Sequence, residues 1–395
     1  MADAALQWAS TGANCWFIVP DPTQVRVHSR QRPTLIDLLR EAEWGVSFRL
    51  ATVPVGRLFE FGTASYRANV YAHLLARDVP AGVPVIVSDD SAVWAGATAL
   101  AKRHPIIGVL HADEEKYYSL AKMNASRVAA LVGVSHRISN KIASLIPDSR
   151  AAIATIPCGI PIAAAEIADN SDTDGTLRLT WVGRIQESQK RISDIPKIAA
   201  LVGKSGVPVR LSIVGDGPDR DLLAASVSAA GLSSSTDFLG WLPKPEVTRV
   251  LRRSDILVLP SNFEGMPLSV MEALAVGCAI VASRTSGIED YTRHPLAEGC
   301  LWTHAVGDVG EAAQCVKKAH DVPHAIRRAR ARRFAASEFS IERNVQAYRN
   351  LISELPPPDM RAEAGSRFRH AATAAASVPV ATWRSARLTI QHMIK

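Results

Sequence analysis

The chain has no CxxC pair, and its five cysteines (Cys15, Cys158, Cys278, Cys300 and Cys315) are scattered and odd in number. A disulfide framework is therefore not expected, and a reducing compartment fits better. No charged-then-apolar leader opens "MADAALQWAS", as a secretory signal would require. Long apolar runs are missing too: "AATAAASVPVATW" is short and broken by proline, so it cannot cross a bilayer. These absences lead to the expectation of a cytoplasmic protein. Zinc-ligand spacing, RNA-binding aromatic motifs and heptads are also absent, which leaves nucleic acid without support as a partner.

At 395 residues, 47% hydrophobic and 21% charged, the chain has the composition of a globular protein and exceeds what one core ordinarily holds. Two domains are expected. The formal charge of +7 biases it toward acidic partners. Basic residues gather late, in "HAIRRARARRF" (324–334) and among Arg361, Arg367, Arg369, Arg384, Arg387 and Lys395. A solvated helix face is the first reading of such a run, and an anionic membrane surface the second.

From about residue 84, short apolar runs alternate with amphipathic segments. "VPVIVS" (83–88), "IIGVL" (106–110), "ALVGV" (130–134) and "AIATIP" (152–157) have the composition of buried parallel strands. Segments 92–103, 114–126 and 136–145 between them have helical length. Polar "AEIADNSDTDGT" interrupts the pattern as a linker over 165–176. Alternation resumes with "LRLTWVG", "VRLSIVG", "STDFLG", "DILVLP" and "CAIVAS". The expectation is an α/β chain of two doubly wound domains, 1–164 and 177–340, with a last helix at 341–355 and a basic Ala/Arg-rich tail at 356–395. Within the first 80 residues, "CWFIVPD" and "VSFRLATVPV" have strand composition. Open sheets of this kind bind ligands beyond the carboxyl ends of their strands, and the unusual residues fall there.

One such end is "SNFEGMPLSVMEALAVGCAIVAS" (261–283). Pro267 is expected at the first helical position, where a missing N–H costs nothing. The remaining N–H groups of that turn suit an anion such as phosphate, and Gly265 lets a ligand approach the backbone. Glu264 and Glu272 are poor neighbours for phosphate but good acceptors for sugar hydroxyls. In "LTWVGRIQESQKRI", Arg184 and Lys190 bring two cations to another strand end, as a diphosphate would need. "IVGDGPDRDLL" begins a further glycine-rich turn at Gly215, but Arg220 breaks the GxGxxG spacing and argues against a nicotinamide-dependent dehydrogenase.

Four ordered stretches, "VGRIQESQKRI", "IVGDGPDR", "FLGWLPKPEVTRVLRRSDILVLPS" and "EGMPLSVMEALAVGCAIVASRTSGIED", resemble the donor-nucleotide domain of family 4 glycosyltransferases, of group 1 type. These are retaining enzymes of the GT-B architecture, in which two Rossmann-like domains face each other across the donor cleft. The resemblance includes the Glu-x7-Glu motif as Glu264 and Glu272. It implies that Arg184 and Lys190 hold and stabilise the leaving diphosphate, that Glu264 contacts the transferred sugar, and that Glu272 binds the ribose. Backbone groups at Gly265, Met266 and Leu268 would bind sugar or phosphate oxygens, and Trp241 and Leu242 would lie near the base. "GVLHADEEKYYSL" points to His111 as the histidine that reaches the sugar. The last helix would pack back on the first domain.

The implied reaction moves a hexose from a UDP- or GDP-sugar to a glycan or lipid-linked saccharide hydroxyl, in polysaccharide or glycolipid assembly, with no cofactor and no essential metal. The basic tail adds an anionic membrane surface as a partner, and hence a peripheral location on the cytoplasmic membrane face. A noncatalytic nucleotide-sugar-binding scaffold and a GT-B epimerase are the alternatives. The chain departs from the family pattern in having Arg191 where glycine usually follows the lysine. Cys158 and Pro161 replace Asn and Asp in "IPCGIP", and "CWFIVPDPTQVRVHSRQRP" lacks the expected glycine-rich loop.

Overall fold

The computed structural model describes residues 15–20, 48–53, 63–88, 90–162 and 175–356. Strands β1 (Cys15–Pro20) and β2 (Phe48–Val53) pair in parallel as a separate two-stranded sheet. Helix α1 (Ala64–Asp78), which the sequence reading did not anticipate, follows them. A four-stranded parallel sheet then runs in chain order through β3 (Val85–Ser88), β4 (Ile106–Leu110), β5 (Ala130–Gly133) and β6 (Ala152–Thr155). Helices α2 (Ser91–Thr98), α3 (Glu115–Asn124) and α4 (His136–Leu145) make its crossovers. β4 and β5 are buried at every position, as strands covered on both faces must be. Gly108 is the position that lets Trp94 of α2 pack against β4, since any Cβ there would overlap the indole ring.

Helix α2 starts where the Asp90 carboxylate accepts the Ala92 amide at 2.7 Å. It stops at Thr98, short of the expected residue 103. From Leu100 to His104 the chain closes turns instead, with Arg103 and His104 both bonding Leu100 O. Pro105 follows, and a residue ahead of proline is pushed out of the helical region.

The second sheet has six parallel strands: β7 (Leu177–Val182), β8 (Val209–Val214), β9 (Thr236–Gly240), β10 (Ile256–Leu259), β11 (Ala279–Ser283) and β12 (Leu301–His304). The spatial order is β12-β11-β10-β7-β8-β9. Strand β12 was not foreseen; it pairs with β11 from Ile280↔Leu301 to Ser283↔His304. This order reverses direction between β7 and β10, and a doubly wound sheet opens its ligand crevice at such a reversal. The intervening helices are α5 (Glu187–Lys190), α6 (Asp194–Lys204), α7 (Arg220–Ala229), α8 (Lys244–Arg252), α9 (Leu268–Val276) and α10 (Ser286–Glu289). Helix α11 (Val309–Asp321) follows β12, then α12 (His324–Glu338) and α13 (Ile341–Glu354).

The basic run of α12 is not simply a solvated face. Arg327 is 3% exposed; it donates to Ala319 O at the end of α11 and to Asp255 Oδ1 at 3.1 Å. Arg328 bonds the carbonyls of Arg252 and Val276, and Arg330 that of Glu298. Three cations thus cap backbone carbonyls at helix ends and turns, where a positive charge is also favoured by the helix dipole. Ala331 and Phe334 of the same helix are fully buried.

The two larger sheets meet through specific contacts. Ser135 Oγ and Ser286 Oγ share a buried hydrogen bond of 2.7 Å, and the His136 amide donates to Asp290 Oδ2 at 2.7 Å. Arg137 bridges Asp113 and Glu289. Helix α13 lies against the stretch after β6: Asn344 donates to Pro157 O, and Ile160 exchanges backbone bonds with Phe339 and Ile341. The expected linker residues 165–174 and the tail 357–395 lie outside the described residues, as does the loop following β1.

Candidate active site

Pro267 is the N-cap of α9 rather than its first residue. Its ring sets φ at −71°, but ψ of 113° keeps it extended, so the helix begins at Leu268. The first amide accepted within the turn is that of Val270, bonded to Pro267 O. The amides of Leu268 and Ser269 precede it at the helix N-terminus, where an anion is favoured. Leu268 itself is 50% exposed, whereas Met266 is buried.

Ahead of that helix end, Glu264 is only 5% exposed. Its Oε1 accepts Ser261 Oγ at 2.6 Å and Lys190 Nζ at 2.6 Å. Ser261 is itself fixed, because its carbonyl takes the Ser283 hydroxyl at 2.5 Å. Both bonds converge on one carboxylate oxygen, so Oε2 is the oxygen left for a hydroxyl. Burying a carboxylate this deeply requires such partners. Lys190 ends the one-turn helix α5, where a simple loop was expected. Arg184 stands exposed one residue past Gly183, at the end of β7. Arg184 and Lys190 therefore follow β7 while Glu264 and Gly265 follow β10, on the two sides of the sheet reversal.

Gly265 and Gly215 are demanded by close backbone approach. A Cβ on Gly265 would overlap the carbonyl of His111, and one on Gly215 would overlap that of Gly183. Gly215 also has φ of 132°, and its amide bonds Gly240 O, closing the ends of β7, β8 and β9 together. The Gly265 contact brings His111, at the end of β4, directly to the Glu264 loop. Cys158 Sγ lies 3.8 Å from His111 Nδ1.

Glu272 faces Lys244 Nζ at 3.7 Å across α8 and α9. Trp241 and Leu242 sit partly exposed just after β9. The structure thus brings Lys190, Glu264, Gly265 and His111 into one cluster, with Glu272 one helical stretch further along α9. Lys244 and Ser261 were missed in the sequence. Ser261 had a signal, since it is three residues from Glu264, but Lys244 comes from a different helix. Among the described residues, no group of three or more His, Cys, Asp or Glu side chains is placed to hold a metal ion.

The arrangement is that of the GT-B fold. The structure aligns with that of HepE from Anabaena, solved in complex with UDP and glucose, at TM-score 0.66 and 16% identity over 90% of this chain and 95% of that one. Residues 176–321 match the family model of glycosyl transferases group 1. It is 28% identical over 225 residues to a 2-deoxystreptamine N-acetyl-D-glucosaminyltransferase of Streptomyces fradiae, covering 53% of this chain and 52% of that enzyme. It is 27% identical over 289 residues to a glycogen synthase of Mycobacterium tuberculosis, covering 69% of each. The chain therefore spans about half the length of the Streptomyces relative.

Proposed function

We propose that the chain is a glycosyltransferase of glycan or polysaccharide assembly, moving a hexose from a nucleoside diphosphate sugar to a hydroxyl with retention at the anomeric carbon. The observation that carries this reading is Glu264: a buried carboxylate between a lysine and a helix N-terminus, with its neighbour Gly265 against His111. A carboxylate there accepts a sugar hydroxyl, while the cations and the first amides of α9 take the diphosphate. Lys190 has three N–H donors, so it can keep Glu264 and still reach a phosphate oxygen. Glu272 takes the ribose diol, the backbone after β9 takes the base, and His111 approaches the transferred sugar.

Breaking the glycosidic bond leaves negative charge on the diphosphate. Arg184, Lys190 and the helix N-terminus stabilise that charge, and losing one such donor costs about 10²–10³ in rate. They stand where a metal would otherwise serve, so no essential metal is proposed. The acceptor hydroxyl attacks on the face that the diphosphate vacates, and a diphosphate oxygen takes its proton. The relatives named above transfer sugars, which supports the class; the UDP in the HepE crystals makes UDP-sugars the first donors to test.

The test is a thermal-shift screen against UDP, GDP, ADP and their common sugars with EDTA present, followed by donor turnover with saccharide acceptors. A ligand at 100 times its Kd adds about 2.7 kcal/mol of stability, which is readily seen. A shift with one base that vanishes in Arg184→Ala and Lys190→Ala supports the reading. Binding without turnover on any acceptor would favour a noncatalytic nucleotide-sugar scaffold. The basic tail is proposed to hold the chain at an anionic membrane surface. Deleting residues 359–395 should weaken binding to anionic vesicles, and unchanged binding rejects that role.

A further inference from the structure

Among the described residues, Arg191 is the one non-glycine with positive φ, at φ 47° and ψ 48°. Glycine adopts that conformation without strain, whereas an arginine there is held only by surrounding structure. The side chain supplies that hold. Arg191 Nε donates to Asp194 Oδ2 at 2.7 Å, and Nη1 donates to Asn262 Oδ1 at 3.2 Å. Asp194 is itself buried, and the guanidinium also closes on Gly307 beyond β12. One side chain thereby touches the loops that follow β7, β10 and β12.

Those ties converge on Lys190. Helix α5 is a single turn, and one turn has no stability of its own; its geometry must be imposed from outside. Asn262 supplies part of it, its amide bonding Gln189 O at 2.8 Å and its Nδ2 bonding Ser188 O at 2.9 Å. Gln189 Nε2 reaches Phe263 O. The turn bearing Lys190 is thus laced to residues 262–263, immediately before Glu264, and Arg191 ties the lacing from the far side.

We propose that Arg191 is a positioning residue for the donor chemistry: its guanidinium, anchored on Asp194 and Asn262, fixes the turn that aims the Lys190 ammonium at Glu264 and the leaving diphosphate. This rests on the donor-site reading above. A glycine at this position would suit the backbone better but would release the turn. Arg191 therefore acts through Lys190 and not by touching the sugar.

The experiment compares Arg191→Gly, Arg191→Lys and Asn262→Ala with the wild-type chain, using UDP-sugar turnover once the donor is known. Lys197 Nζ, 3.1 Å from Asp194 Oδ1, still pairs with the buried carboxylate in Arg191→Gly, so this variant should keep its Tm within a few degrees while kcat falls about tenfold or more and donor KM moves less than about threefold. Arg191→Lys, which retains a cation for Asp194, should recover part of kcat. The double variant Arg191→Gly/Asn262→Ala should be little worse than the poorer single, as expected for two ends of one contact. Wild-type kcat in Arg191→Gly, or turnover loss that merely follows loss of Tm, would overturn the proposal. Amide hydrogen exchange on the unliganded chain supplies a readout independent of activity. Residues 187–193 should exchange about tenfold faster in Arg191→Gly, and unchanged protection would also overturn it. A wild-type chain that neither binds nor turns over any nucleotide sugar would sink the function reading, while the exchange data would still decide the role of Arg191.

Discussion

Glu264 and Glu272 share a motif but not an environment. Glu264 is buried under Ser261 and Lys190, while Glu272 is a half-exposed helix residue facing Lys244. If the first meets the sugar and the second the ribose, their substitutions separate. Glu264→Gln should lower turnover by roughly 10² with little change in UDP affinity. Glu272→Gln should instead weaken UDP by about tenfold, an amount of the order of 1.4 kcal/mol, and leave kcat nearer to wild type. Calorimetric UDP binding beside steady-state kinetics measures both, and equal effects on binding and turnover would contradict the division. Gly265 gives a steric counterpart. A methyl group there must displace the His111 carbonyl, so Gly265→Ala should lower Tm and abolish turnover together. Full activity in that variant would mean that the two loops do not need their close approach.

Among the elements, α12 shows how composition can mislead. Its arginines have the spacing of a solvated helix, yet Arg327 is a buried clamp joining the end of α11 to Asp255 before β10. Asp255 also accepts the Arg178 amide at 2.9 Å and lies 3.6 Å from His324, so the clamp belongs to a network around one carboxylate. Breaking a buried pair from one side costs more than the pair is worth, because the remaining charge stays buried. Arg327→Ala should therefore destabilise by roughly 3 kcal/mol, whereas removal of an exposed neighbour such as Arg333 should fall within about 0.5 kcal/mol. Urea unfolding of the two variants decides this; equal losses would show that Arg327 is no more structural than its neighbours.

For the molecule as a whole, the meeting of the two sheets has a pH signature. Burial holds the Asp290 carboxyl above its ordinary 3.8, although the hydrogen bond from the His136 amide and the His136 charge pull the other way. A raised carboxyl favours folding in its protonated form. Its contribution is full below the ordinary pKa and is lost as pH rises through the folded value. Asp290→Asn keeps an acceptor oxygen without the charge. Its Tm relative to wild type should rise from about pH 4 to about pH 7, and a constant difference across that range would contradict the assignment. No helix among the described residues is long and apolar enough to cross a membrane.

Much of the fold was legible because buried parallel strands leave a simple trace: "IIGVL", "DILVLP" and "CAIVAS" are apolar but for the terminal Asp255 and Ser283, and each became a strand within a residue or two. β12 escaped notice because "LWTH" is short and only partly buried. The motif glutamates, Arg184, Lys190 and the glycines were likewise visible, since loop chemistry at strand ends is written locally. Partners distant in sequence were not. The Lys190–Glu264 pair spans 74 residues, Gly265 touches a histidine on the other sheet, and Arg191 departs from glycine only to be tied to Asn262. By itself the sequence determined most of the buried strands, the strand ends at which the loops turn and which side chains carry the charge. The tertiary structure alone decided which of those charges are buried together, because that depends on how the sheet reverses between β7 and β10 and on how the two sheets meet.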